Sequence, residues 1–108
     1  MNNDLKLICM QLITAVGTAR SNYILAIRKA KENSFLEAEK LIISGNEYFS
    51  EGHNIHSKFL QKMAIGEQID INLLLLHAED QLMSAEIFRT LAEEFIDLYK
   101  KINKNRDL

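Results

Sequence analysis

Apolar residues recur along this chain at helical spacing, and the recurrence breaks where residue types that stop and start helices occur. Leu5, Ile8, Cys9, Leu12, Ala15, Val16, Ala19, Tyr23, Ala26, Ile27 and Ala30 fall on one face of a first helix. Arg28, Lys29 and Lys31 close it, where positive charge meets the negative pole of the helix dipole. Gly17 interrupts the pattern at a cost in helix stability. Three readings of it stay open: close packing, room for a ligand, or a tolerated glycine. Ser34 and Glu37 then form the Ser-x-x-Glu pattern of a capping box, which starts a second helix. Ala38, Leu41, Ile42, Gly45, Phe49, Gly52, His53, His56, Phe59, Leu60 and Met63 follow along one broad face. Within it Ala38, Gly45 and Gly52 recur at heptad spacing, a seam of small residues that lets a neighbouring helix approach closely. Gly66 ends this helix.

A third helix begins at Asn72, a residue suited to capping. Leu73, His77, Asp80, Gln81, Ser84, Phe88, Leu91, Phe95 and Leu98 share one of its faces, which turns polar from His77 to Ser84 and apolar again beyond. Leu76, Met83 and Ile87 cover one flank, and Leu75 and Leu82 lie on the far side, so the first half is apolar nearly all round. Such a helix has to be surrounded, which a small chain can hardly do alone. His77 and Asp80 therefore sit in a polar notch on a buried or oligomer-facing helix. After Glu86 the pattern puts Phe88, Leu91, Phe95 and Leu98 inside and Arg89, Glu93, Asp97 and Lys100 outside. The tail beyond about Asn103 is expected to fray.

Length and composition narrow the architecture. The 108 residues suffice for one domain, spanning 1–108, and zero prolines with four glycines favour long helices over a turn-rich β fold. Three helices with short connections stack as an antiparallel up-down-up three-helix bundle, an all-α fold. The leucine-rich surface near Leu73–Leu76 left over from that bundle predicts a homo-oligomer. A net charge of −2 without a basic stripe gives no reason to expect nucleic acid or an anionic membrane surface. The apolar runs are too short to span a bilayer, and the N-terminus lacks a signal-peptide pattern. The single cysteine, Cys9, excludes an internal disulfide and fits the cytoplasm.

His77 is the strongest candidate for chemistry. A neutral imidazole nitrogen is nucleophilic near neutral pH and can carry a phosphoryl group covalently. Asp80 and Gln81, three and four residues on, are its neighbours along the helix. The competing reading is a histidine satisfied by hydrogen bonds in the core. Asp80 can orient His77, pair with a cation or bind metal. Alone it is a poor metal site, but three copies around an axis make an oxygen cluster suited to a hard divalent cation. His53 and His56 are an i, i+3 pair without an accompanying zinc motif, so a helix face is the simpler reading. His53 would line the same groove as His77 if the helices pack in register. Cys9 reads as a core residue.

The stretch Leu74-Leu75-Leu76-His77-Ala78-Glu79-Asp80-Gln81-Leu82-Met83 resembles the signature of the lactose/cellobiose-type IIA components of the bacterial sugar phosphotransferase system, approximately His-Ala/Gly-Gln-Asp-His-Leu-Met. Gly17-Thr18-Ala19-Arg20-Ser21, Glu51-Gly52-His53 and Leu98-Tyr99-Lys100 resemble further segments of that family in the same order and spacing. The resemblance implies a cytoplasmic homotrimer of three-helix subunits, linked to the membrane only through the transporter complex. It implies that His77 accepts phosphate from the histidine-containing phosphocarrier protein and passes it to a cysteine of the cognate IIB component. It also implies that Asp80 meets its two symmetry copies around a metal ion, commonly magnesium. Three positions depart from the family pattern: Glu79 replaces glutamine, Gln81 replaces a second histidine and Thr18 replaces an aspartate. A histidine phosphotransfer domain of a signalling relay is a poorer match, because Lys-Gly does not follow the histidine. The alternative from another class is a non-catalytic helical oligomerisation or adaptor module.

Overall fold

The computed structural model describes residues 3–106. Three helices account for nearly all of them: α1 (Asn3–Lys31), α2 (Phe35–Ala64) and α3 (Leu73–Arg106). They form the expected all-α, up-down-up bundle, a rod of 60 × 22 × 20 Å in which α1 packs along both α2 and α3. α3 continues to Arg106, and the rest of the tail expected to fray lies outside the described residues.

The breaks are built by local hydrogen bonds. α1 ends on Asn33 in the left-handed region (φ 63°), with the Ser34 N–H donating to Lys29 C=O and the Asn33 N–H to Ala30 C=O. α2 ends the same way on Gly66 (φ 87°), with Glu67 N–H on Lys62 C=O and Gly66 N–H on Met63 C=O. Both are Schellman stops, which need a residue that tolerates positive φ. α3 opens as its sequence proposes: the Leu75 N–H donates to Asn72 Oδ1 at 3.1 Å. Ser34 does precede α2, but its side chain makes no capping hydrogen bond, and Glu37 pairs at 3.5 Å with Lys29 instead. A lysine across the turn outcompetes the capping box because it offers the carboxylate a charged partner.

The small-residue seam does what its spacing implies. Ala38, Gly45 and Gly52 are buried against α1, and a Cβ on Gly45 would lie 2.7 Å from Tyr23 Cε1. A Cβ on Gly52 would lie 2.5 Å from Val16 Cγ1. The Tyr23 ring is wholly buried, and its hydroxyl donates to Asn46 Oδ1 at 2.7 Å. Burial pushes that phenol up to about 12, with Arg89 pulling it down and Glu93 adding to the rise. The folded state keeps the proton where an unfolded tyrosine loses it near 10, so this contribution is whole below pH 10 and fades as pH rises towards 12. Gly17 is different: nothing lies within 4 Å of its would-be Cβ, so packing inside the subunit does not require it.

A pair of substitutions tests the seam. Gly52→Ala forces a methyl onto Val16, whose β-branched chain has little rotamer freedom in a helix. The overpacking costs about 1–3 kcal/mol, against about 1 kcal/mol gained in helix propensity. Gly17→Ala keeps only the gain. At equal protein concentration the urea midpoint is expected to fall, or at best hold, for Gly52→Ala and to rise for Gly17→Ala. The reverse order would rule out close α1–α2 contact.

The inward face of α3 differs from the one its pattern suggests. Leu75, Ala78, Leu82, Ala85, Ala92 and Ile96 are buried, whereas Leu91, Phe95 and Leu98 are exposed and Phe88 is half-buried. Alanines face the core because α1 lies close, and bulky side chains are left outside. The outer stripe runs through Leu73 (83% exposed), Leu76, Met83 (62%), Ile87, Leu91 and Leu98. The subunit exposes 7290 Å², against about 6,100 Å² for a compact monomer of this mass. A rod with an apolar edge has more surface to cover than it covers itself.

Candidate functional site

Asn72 caps the start of α3, and packing against α1 and α2 decides which side each later residue takes. Leu75, Ala78, Leu82 and Ala85 turn to the core, which leaves Leu73, Leu76, Asp80, Met83 and Ile87 in the outer stripe. Asp80 is thus a carboxylate in the middle of an exposed apolar row, without a hydrogen bond or ion pair to any described residue. His77, Gln81, Ser84 and Phe88 form the next row, on the edge towards α1.

His77 is exposed and makes neither hydrogen bond nor ion pair with any described residue, so it is not a histidine satisfied in the core. Gln81 and Ser84, half-buried one and two turns on, bring an amide and a hydroxyl to the same edge. The edge therefore presents an accessible imidazole with uncharged polar side chains below it, the layout a transferable anionic group needs.

On the opposite side of α3 a groove of about 580 Å³ separates it from α2. Asn46, His53, His56, Glu79, Glu86 and Arg89 are among its lining residues. His56 Nε2 lies 2.6 Å from Glu79 Oε2, and the two side chains are 18% and 34% exposed. His53 stacks on Phe49, with ring centroids 6.4 Å apart, and the Arg89 guanidinium lies 4.8 Å from the same ring centroid. His53 therefore does not share a groove with His77 inside one subunit: Glu79 and His77 are about 160° apart around the helix. His56 is engaged by a carboxylate rather than poised with His53 for zinc. Among the described residues no group of three or more His, Cys, Asp or Glu side chains is arranged to hold a metal ion.

Cys9 is a core residue, as its apolar neighbours suggest. Burial, with a further push from the Glu79 charge, raises its thiol above the usual value and keeps it protonated. No helix among the described residues is long and apolar enough to cross a membrane. The feature missed in the sequence is the His56–Glu79 pair. Both residues are visible there, but their meeting depends on the α2–α3 register, which no local pattern carries.

Residues 7–100 match the family model described as the lactose/cellobiose-specific IIA subunit of the PTS system. The chain is 36% identical over 106 residues to the lichenan-specific phosphotransferase enzyme IIA component of Bacillus subtilis, covering 98% of this chain and 96% of that one. It superposes on the crystal structure of the PTS cellobiose-specific enzyme IIA from Bacillus anthracis with a TM-score of 0.93 at 38% identity, over 96% and 95% of the two chains. It also matches IIA(Chitobiose) in the solution structure of its complex with HPr from Escherichia coli, with a TM-score of 0.77 at 27% identity, over 94% and 99%.

Proposed function

The chain belongs to the lactose/cellobiose-specific IIA family of the sugar phosphotransferase system, and we propose from that premise that it is a phosphoryl carrier acting through His77. It takes phosphate from the histidine-containing phosphocarrier protein and passes it to a cysteine of the cognate IIB component. The observation that carries this reading is the His77 ring itself, exposed and without a partner in its own subunit. A related IIA chain solved in complex with HPr supports the donor.

In the first transfer an unprotonated His77 nitrogen attacks the phosphorus of the donor phosphohistidine in line. The new N–P bond forms as the donor's N–P bond breaks, and the donor imidazole leaves with the electron pair. In the second, a IIB thiolate attacks the same phosphorus and the His77 N–P bond breaks. Catalysis consists mainly of positioning and of donors for the phosphoryl oxygens. Gln81 and Ser84 are the side chains of this subunit suited to that. One imidazole has to meet both partners, so donor and acceptor bind the same surface in turn.

The working form is a homotrimer packed on the outer stripe of α3. A cyclic trimer turns that stripe to its axis and brings three Asp80 carboxylates together. Three such groups repel unless protonated or bound to a cation. An all-oxygen set of this kind fits a hard divalent ion, magnesium being the expected one, which would supply charge neutralisation at the axis. The protein works in the cytoplasm and meets the membrane only through the transporter it supplies.

Incubation with the phosphorylated phosphocarrier protein tests the reading by mass. The expected result is one phosphoryl group per chain, lost in acid and mapping to His77. No gain in mass, or a label on another residue, would refute it.

A further inference from the structure

A carboxylate close to a site that receives a phosphoryl dianion hinders its arrival, because like charges repel most where water is partly excluded. Glu79 stands two residues from His77. In the structure its side chain is turned to α2, where His56 Nε2 lies 2.6 Å from its carboxylate and no lysine or arginine among the described residues pairs with it. His53, one turn away on α2, is stacked on Phe49, and Arg89 lies against the same ring, so neither takes the place of His56.

In the trimer proposed above, three-fold symmetry brings this pair towards the reacting group. Cyclic association joins unlike surfaces: one flank of a stripe meets the other flank of the next copy. On α3 the His77 row borders the stripe on its α1 side, and Met83 and Glu79 border it on the α2 side. With the axis along α3, His77 of one subunit faces the Met83–Glu79 flank of the adjacent one. Rotation about that axis preserves height, so the two meet at nearly the same level.

We infer that His56 is a positioning residue of the transfer site. Its Nε2, 2.6 Å from the Glu79 carboxylate, holds that group on the α2 side, so that Glu79 is not free to turn towards the phosphoryl group on His77 of the adjacent subunit. This rests on the phosphocarrier reading. It also accounts for a carboxylate being tolerated where the family signature carries glutamine.

The test is the rate of phosphoryl uptake from the phosphorylated phosphocarrier protein by wild type, His56→Ala, Glu79→Gln and the double variant, each checked for helical content and subunit number. His56→Ala is expected to be slower by about three- to tenfold, with a deficit that shrinks as salt is added. Glu79→Gln is expected to equal or exceed wild type, and the double variant to match Glu79→Gln. His56→Gln, which keeps a donor, is expected near wild type and serves if the alanine variant does not fold. Uptake by His56→Ala at the wild-type rate overturns the inference, as does a double variant as slow as His56→Ala, which would mean that His56 acts by packing. A wild-type chain that takes up no phosphate overturns the carrier reading and this inference with it.

Discussion

His77→Ala is expected to take up no detectable phosphate while folding as well as the parent chain. The loss is complete because nothing nearby replaces the nucleophile. His56 is held by Glu79, His53 is stacked on Phe49 in the α2–α3 groove, and Cys9 is buried as a protonated thiol. The fold is indifferent because the ring is exposed and makes no hydrogen bond in the subunit, and alanine is the better helix former by about 0.5 kcal/mol. The urea midpoint is therefore expected to stay level or rise slightly, with an unchanged helical signal. A retained label would move the chemistry to another residue. A collapsed midpoint would mean that the ring is structural after all.

How much of this could be read from the sequence follows from the range of the forces involved. The α1 face from Cys9 to Ala30, the stop at Gly66 and the cap at Asn72 depend on near neighbours and are as the pattern implies, whereas α2 begins after Ser34 without the capping box the pattern proposes. The glycine seam was legible for a related reason: only a close helix makes sense of small residues at heptad spacing, and α1 lies there. The inward face of α3 was not legible, because two of its sides are apolar. Hydrophobicity cannot tell a side that meets α1 from one that meets another copy. The alanines Ala78, Ala85 and Ala92 do lie inside, but Leu75, Leu82 and Ile96 lie there with them, while Leu76, Met83 and Ile87 lie outside. The His56–Glu79 pair joins residues on different helices, so register alone creates it.

The two sides of α3 separate stability from assembly. A change at Ala85 or Leu82 is felt in the folding of one chain, whereas a change in the outer stripe leaves that fold alone and, in the proposed trimer, is felt between subunits. Asp80 belongs to the second class, since its position in the stripe contributes nothing to the core of its own chain.

Ile87→Glu uses that separation. Ile87 is 59% exposed in the subunit and packs in none of its cores, so the helical signal is expected to persist. In the proposed trimer the same residue would lose about 2 kcal/mol of apolar burial per subunit and would bring three like charges together near the axis. Native mass measurement is expected to show monomers where the parent chain is a trimer, and phosphoryl uptake is expected to fall with assembly. Asp80→Asn gives the complementary result. Removing the three charges abolishes the need for a counter-ion, so this variant is expected to remain trimeric in chelator while the parent trimer loosens. A parent chain that is monomeric at the start, or an Ile87→Glu trimer, would mean that the stripe is not the subunit interface. A parent trimer as firm in chelator as Asp80→Asn would remove the metal from the axis.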